Sequence, residues 1–224
     1  PDYNTLGYVT PDHVRAGSRT MEYAFNDFCI ATVAKGLGKE DVADKYLRRA
    51  SNWKNLWYSA IEDEGAKGFV IPRLRDGSWD LDWDLHAVGG LDDWLYEGNS
   101  WEYSLYVPHD VGELVHYCGG KEMFGQRLDT FFTKKSVSTN PYTSGYYNVS
   151  NEPSFLTPLL YNYIGEPWKS AHRIRSIIKE SFTTGIDGLP GNDDSGSMSA
   201  WYIFNTLGFY PVAGTDIYLI GTPA

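Results

Sequence analysis

Long hydrophobic runs are missing from this 224-residue sequence: no stretch approaches the roughly 18 consecutive apolar residues that cross a membrane. Basic residues are also few, since 19 Lys and Arg stand against 29 Asp and Glu and leave a net charge of −10. Binding to a nucleic-acid backbone needs basic patches, so this balance argues against it. An acidic chain suits a carboxylate-lined cleft, although solubility alone explains most of these charges.

Cysteine is scarce, with Cys29 and Cys118 as the only two, and both lie in segments with helical periodicity. Two cysteines do not make a disulfide framework and have no metal-ligand spacing, so we expect two buried thiols. The five histidines show no ligand spacing among themselves either, which argues against a zinc site.

Aromatic residues are in excess: they make up 16% of the sequence, with 8 Trp and 17 Tyr. Such a surplus has two explanations. Large rings fill a hydrophobic core, and they also form sugar-binding surfaces, because their faces pack on the apolar C–H faces of pyranose rings. Composition alone favours the core for most of them.

Apolar residues recur at steps of three and four in several segments, which predicts helices. The predicted helices cover residues 18–35, 39–61, 109–118, 121–132, 154–163, 168–181 and 197–207, and a short strand is expected at 217–220. We expect turns before residue 17 and long loops over residues 62–99 and 133–151. Helix pairs separated by long loops predict a mainly α domain, part of a helical toroid with its site at the loop end.

Three loop segments concentrate carboxylate and amide side chains: the first segment (residues 96–103), the second segment (148–153) and the third segment (190–196). Each lies at a loop-to-helix junction, where Asn and Asp can simply cap the following helix. Together they suggest glycoside hydrolysis, which needs a carboxylic acid to protonate the leaving oxygen and a carboxylate to act on water or carbon. Glu97 or Glu102 could be the acid, and Asp193 or Asp194 the base.

The same segments resemble a known family. The stretch GNDDSGSMSAWY at residues 191–202, continued by LGFYP at 207–211, is similar to the signature of glycoside hydrolase family 92. The stretches EGNSW at 97–101, VPHD at 107–110, NEPS at 151–154 and YNY at 161–163 also resemble that family, as does the helix over residues 18–39. The resemblance therefore covers nearly the whole chain.

That resemblance implies a calcium-dependent, inverting, exo-acting α-mannosidase, with an N-terminal β-sandwich domain followed by an (α/α)6 barrel. We therefore expect residues 1–224 to be a single segment, the C-terminal portion of the barrel, with the β-sandwich as its partner. The expected substrate is terminal α-linked mannose, most often α-1,2-linked, on N-glycans or mannans. The chain begins at Pro1 without Met, so we expect its targeting segment to lie elsewhere. We expect a secreted or cell-envelope enzyme because polymeric glycan substrates lie outside the cytosol, and the N-glycosylation pattern at residues 148–150 adds weak support.

The resemblance also implies a role for particular residues. Glu97 takes the general-acid role and Asp194 the general-base role, with Asp193 or Asn192 assisting, and Asn151 and Glu152 fall in the calcium-site segment, where oxygen ligands suit Ca²⁺. The residues expected to contact substrate are Trp101, Glu102, His109 and Asn192. Many family members have Gln where this chain has Glu102, so Glu102 is an alternative acid.

Other functions stay open at this point. Some relatives cleave mannosyl-phosphate linkages, where a good leaving group lessens the need for an acid, but Glu97 favours ordinary mannosides. A carbohydrate-binding relative without catalysis would not need Glu97, Glu152, Asp193 and Asp194 together. A metal-free glycosidase of the same architecture would be insensitive to chelators.

Overall fold

A computed structural model describes residues 2–134 and 146–223. Most of the regular structure in these residues is helical. The α-helices are α1 (Asp2–Leu6), α2 (Ala16–Gly36), α3 (Glu40–Ala50), α4 (Ser100–Tyr103), α5 (Val111–Tyr117), α6 (Lys121–Thr133), α7 (Pro167–Ser181) and α8 (Ser197–Leu207). The strands are β1 (Trp57–Asp63), β2 (Ala66–Val70), β3 (Phe209–Pro211) and β4 (Tyr218–Ile220), and 3-10 helices cover Ser51–Leu56, Glu152–Ser154, Thr157–Ile164 and Asp194–Gly196.

Helices α2 and α3 form the predicted antiparallel hairpin. Helix α2 ends where the Leu37 N–H bonds back to the Val33 and Ala34 carbonyls, and Gly38 takes a left-handed φ of 67° that turns the chain. The N-terminal end of α2 packs closely against the long loop before α4. The contact is so close that a Cβ at Gly17 would lie 2.7 Å from the Leu95 side chain. The hairpin therefore buttresses the loop that leads into the first segment.

The predicted helix over residues 39–61 is wrong beyond Ala50. The chain there passes through a 3-10 helix and enters β1, which pairs antiparallel with β2 so that Trp57 faces Val70. Glu64 and Gly65 both have positive φ, 49° and 80°, as in the two-residue turns that suit hairpins. Apolar spacing of three and four up to Trp57 resembled helix, but the turn and the strand pairing decide the local structure.

Smaller differences occur elsewhere. Residues 2–6 form α1 where turns were expected, and the helix expected over 154–163 is a pair of 3-10 helices with Pro near the start of each. The predicted strand near the C-terminus is confirmed as β4, with β3 as its unforeseen partner. The helices expected at 109–118, 121–132, 168–181 and 197–207 are confirmed as α5 to α8 within two residues at each end. In the loop expected over 133–151, residues 135–145 lie outside the described residues.

Many of the aromatic side chains are buried in the hydrophobic core, as the composition suggested. The main core cluster includes Trp53, Trp57, Phe69 and Trp101. Arg127 is buried among them: its guanidinium lies 4.2 Å from the Phe69 ring centroid and donates to the Gly68 carbonyl at 2.7 Å. Aromatic faces and the carbonyl oxygens that accept from Nη1 replace part of the lost hydration, while Nε and Nη2 are buried without a hydrogen-bond partner among the described residues.

The described residues thus confirm a mainly helical fold, while the toroid stays a prediction. None of the helices in residues 2–134 and 146–223 is long and apolar enough to span a membrane. Cys29 and Cys118 are both free thiols, as expected, although Cys29 is only half-buried.

Candidate active site

The three segments singled out in the sequence meet at one small polar cleft. Its walls are the side chains of Glu97, Asn148, Ser150, Asn151, Glu152, Asn192 and Asp194. Five of these are residues that the sequence predicted for the site, and Asn148 and Ser150 belong to the second segment without having been assigned a role in the site. The cleft therefore gathers carboxylate, amide and hydroxyl oxygens from loops that are far apart in the sequence.

The first segment is held in place by its backbone. The Glu97 N–H donates to the Gly89 carbonyl at 2.8 Å, and the Gly89 N–H donates to the Gly98 carbonyl at 3.0 Å. A Cβ at Gly89 would lie 1.9 Å from the Leu95 carbonyl oxygen, so only glycine fits there. Glu97 itself has a φ of 49°, an unfavourable region for a non-glycine residue, which often marks a functional position.

Tyr96 is a residue of the site that the sequence did not assign. Interaction with the Glu97 carboxylate, together with burial, raises the pKa of Tyr96. The Arg15 guanidinium lies 4.7 Å from the centre of the Tyr96 ring. Tyr96 is therefore close to both Glu97 and Arg15.

The second segment touches both of the others. The Asn151 side-chain amide, only 7% exposed, donates to the Glu97 carbonyl oxygen of the first segment. The Glu152 carboxylate accepts a hydrogen bond of 3.2 Å from the Ser197 hydroxyl, directly after the third segment. Asn148 accepts from the backbone and hydroxyl of Ser150 at 2.9 and 2.6 Å, which closes the turn before Asn151.

The two aspartates of the third segment, Asp193 and Asp194, have different surroundings. The Asp193 carboxylate accepts from the Ser199 hydroxyl at 2.6 Å and from its N–H at 2.7 Å, so it caps the first turn of α8. These hydrogen bonds, that of the hydroxyl first, lower the pKa of Asp193. Asp194 lines the cleft instead. Of the two, Asp194 is the one placed to act on a bound molecule.

Glu102 lies beneath the cleft rather than in its wall and is only 3% exposed. It forms a capping box with Asn99, in which the Asn99 side chain accepts from the Glu102 N–H at 3.1 Å and the Asn99 N–H donates to Glu102 Oε2 at 3.3 Å. The Ser154 hydroxyl donates to Oε1 at 3.1 Å. Burial raises the pKa of Glu102 to about 8, against the lowering effect of these hydrogen bonds.

The raised pKa of Glu102 makes stability depend on pH. The ordinary pKa is 4.5, so unfolding releases a proton between that value and about pH 8. The stabilisation is therefore complete below pH 4.5 and is lost as the pH rises to about 8. We expect the unfolding free energy of the wild type to fall, relative to Glu102→Gln, by about 1.4 kcal/mol per pH unit in this window. Urea titrations at pH 5, 6, 7 and 8 measure the difference, and parallel pH dependences of the two proteins would contradict it.

Trp101 and His109 do not border the described cleft. Trp101 is 0% exposed, and its Nε1–H donates to Asp63 at 2.8 Å, so it belongs to the core beneath the site. His109 lies against Phe28 of α2, and its Nε2 contacts the Ala50 carbonyl at 2.9 Å. Burial lowers the pKa of His109. In these positions both residues support the fold, and the predicted substrate contacts have no counterpart in the cleft.

The cleft offers a donor set of the kind that calcium prefers, since every polar side chain in its wall carries oxygen. Among the described residues, no three His, Cys, Asp or Glu side chains come together as a metal cluster. Amide oxygens would have to complete the ligand set. Asn151 can supply one, because its side-chain nitrogen donates to the Glu97 carbonyl and its amide oxygen can act as the ligand. The residues present thus fit a calcium ion by chemistry.

A mainly helical chain with carboxylates on opposing loops of one polar cleft has the features of a glycosidase catalytic domain. The family model described as "Glycosyl hydrolase family 92 catalytic domain" matches residues 1–224. The chain belongs to glycosyl hydrolase family 92.

Known relatives agree with this assignment. An uncharacterized secreted glycosidase of Arthroderma benhamiae is 36% identical over 99% of the chain and 29% of its own length. The family 92 alpha-mannosidase BT3965 of Bacteroides thetaiotaomicron, solved with mannoimidazole, matches 100% of the chain and 30% of its own at 37% identity and a TM-score of 0.90. The inverting mannosidase BT2199 of the same organism covers 99% and 31% at 34% identity and a TM-score of 0.84. The chain thus spans about 30% of the length of these relatives.

Proposed function

We propose that this chain is part of an exo-acting, inverting α-mannosidase that removes terminal α-linked mannose from glycans with the help of calcium. The observation that carries the proposal is the meeting of Glu97 and Asp194, from two distant loops, across one cleft in a family 92 chain. Solved relatives described as an alpha-mannosidase and as an inverting mannosidase support the substrate and the stereochemistry.

The two carboxyl groups take different roles. Glu97 donates its proton to the glycosidic oxygen as the bond to the leaving group breaks. Asp194 accepts a proton from a water molecule on the opposite face of the sugar, and that water attacks the anomeric carbon. An inverting enzyme holds such groups roughly 6.5–9.5 Å apart so that water fits between them. Asn192, which lines the cleft beside Asp194, orients the water or a sugar hydroxyl, while Asp193 keeps α8 and its preceding loop in place.

Asn151 and Glu152 would hold the calcium ion. When bound, the ion would supply coordination positions for sugar hydroxyls, which would hold the ring in a shape distorted toward the oxocarbenium-like transition state. The Ser197 hydroxyl orients the Glu152 carboxylate, and the backbone of the first segment fixes Asn151 through the Glu97 carbonyl. These contacts prearrange the ligands, which reduces the entropy lost on binding.

The proposal extends to the rest of the polypeptide, its location and its substrate. By the family resemblance, this chain is the C-terminal portion of an (α/α)6 barrel with an N-terminal β-sandwich domain as its partner, and the relatives' greater length leaves room for both. A relative described as secreted supports a secreted or cell-envelope location. A mannan or an N-glycan with terminal α-1,2-mannose is the first substrate to test.

Mannose release from α-1,2-mannobiose by the natural polypeptide that contains this chain tests the proposal. We expect release with calcium, loss of release in excess chelator, and recovery when calcium but not magnesium is restored, because Mg²⁺ demands a tighter octahedral site. Proton NMR at early times should show β-mannose as the first product. Activity that persists after calcium removal would contradict the metal requirement. Absence of release from any α-mannoside or mannosyl phosphate would contradict the function itself.

A further inference from the structure

Glu102 connects two of the three segments that form the cleft. Its Oε2 accepts from the Asn99 N–H, two residues after Glu97, and its Oε1 accepts from the Ser154 hydroxyl, two residues after Glu152. These two contacts are 3.3 and 3.1 Å long. One carboxyl group therefore bridges the segment of the proposed acid and the segment of the proposed calcium ligands.

A second contact closes the bridge into a ring. The Ser154 N–H donates to the Asn151 carbonyl at 3.2 Å, and the Asn151 side chain donates to the Glu97 carbonyl. The ring thus runs from Glu97 through Asn99, Glu102, Ser154 and Asn151 and back to Glu97. Movement of either segment would have to break a hydrogen bond in a buried region, which costs more than breaking one in water.

The Glu102 carboxyl also supports the backbone of the first segment from below. A Cβ placed on Gly98 would lie 3.2 Å from Oε2, so the carboxyl packs directly under the peptide that follows Glu97. Asn99, Glu102 and Ser154 are all buried, at 0%, 3% and 1% exposure. Such burial excludes Glu102 from proton transfer to a substrate in the cleft.

We propose that Glu102 is a positioning residue that, through Asn99 and Ser154, sets the placement of Glu97 relative to Asn151 and Glu152. This proposal rests on the glycosidase function above. The bridge does not depend on the charge of the carboxyl. A neutral carboxyl keeps one accepting oxygen for the Asn99 N–H, and its O–H can donate to the Ser154 hydroxyl, which accepts as readily as it donates. A glutamine side chain offers the same pair of groups in the same shape.

Two substitutions at residue 102, compared in the natural polypeptide with aryl α-mannoside and α-1,2-mannobiose, test this role. We expect Glu102→Gln to keep kcat within about threefold of the wild type. Glu102→Met has a similar length but removes both hydrogen bonds of the carboxyl, and we expect its kcat to fall by about 100-fold with a much smaller change in KM. Ser154→Ala removes one arm of the bridge, and we expect an intermediate loss of about tenfold.

A matched control separates positioning from general destabilisation. The buried Thr20 hydroxyl accepts from the Val9 N–H at 2.9 Å and donates to the Ala16 carbonyl at 2.8 Å, away from the cleft. Thr20→Ala should lower the melting temperature while leaving kcat unchanged well below that temperature. A wild-type kcat in Glu102→Met, or a loss in Glu102→Gln as large as in Glu102→Met, would overturn the proposal.

Hydrogen exchange provides a readout that does not require activity. In Glu102→Met, but not in Glu102→Gln or Thr20→Ala, amide exchange should rise in both the first and the second segment, because the bridge joins them. Faster exchange in the first segment alone would overturn the proposal even if the wild type proved inactive on mannosides. An inactive wild type whose two segments still respond together would contradict the proposed function and leave the bridge supported.

Discussion

Replacing Glu97 by Gln should reduce kcat on α-1,2-mannobiose by about 1,000-fold, because the leaving sugar hydroxyl would depart without a proton. On a 2,4-dinitrophenyl α-mannoside the same variant should lose less than about tenfold, since that leaving group is stable as an anion. Glutamine preserves the size and shape of the side chain. Steady-state kinetics on the two substrates measure the contrast.

The matched comparison for Glu97 is Glu102, the other candidate acid in the first segment. Glu102→Gln should show no dependence on the leaving group, because the buried side chain does not reach the cleft. If Glu102→Gln shows the contrast and Glu97→Gln does not, the acid has been assigned to the wrong residue. Equal losses on both substrates in Glu97→Gln would indicate a role in binding instead of proton donation.

Replacing Asp194 by Ala should reduce kcat by about 1,000-fold on both substrates, because water must be activated whichever group leaves. Sodium azide should restore part of the rate, since azide attacks without losing a proton and fits the space left by the carboxylate. An inverting reaction then gives β-mannosyl azide, which NMR identifies.

Asp193 supplies the control for Asp194. In Asp193→Asn the side-chain oxygen still caps α8, so the fold is retained while the carboxylate charge next to Asp194 is lost. We expect a much smaller loss of kcat and no rescue by azide. A larger loss in Asp193→Asn than in Asp194→Ala, with azide rescue, would transfer the base role to Asp193.

The helices were largely predictable because their signals are local. Apolar spacing and terminal glycines placed α2 and α5 to α8 close to their observed bounds. The strand β1 was missed because its first residue, Trp57, continues the apolar spacing of the preceding helix. Pairing with β2 makes this segment a strand. The turn residues Glu64 and Gly65 were the signal in the sequence that could have indicated this hairpin.

The sequence predicted which residues lie at the candidate site but not which role each of them has. The sequence placed Glu97, Asn151, Glu152, Asn192 and Asp194 in the site, and all of them line the cleft. Their roles came from resemblance and stay predictions.

The burial of a side chain depends on contacts between distant parts of the chain. Burial determines whether a side chain lines the cleft or lies beneath it. For that reason the sequence grouped Trp101 and Glu102 with the substrate-binding residues, although both are buried. The spacing of Asn99 and Glu102 was a readable capping-box signal that would have indicated the structural role of Glu102.

The hydrogen bonds that join the three segments have a consequence for how the protein folds. The contact of Asn151 with Glu97 spans 54 residues, that of Ser154 with Glu102 spans 52, and that of Ser197 with Glu152 spans 45. Contacts between such distant residues close large loops, and their entropic cost is met only after much of the chain is compact. The helical hairpin of α2 and α3 can form early and locally, whereas the cleft is among the last features to be assembled during folding.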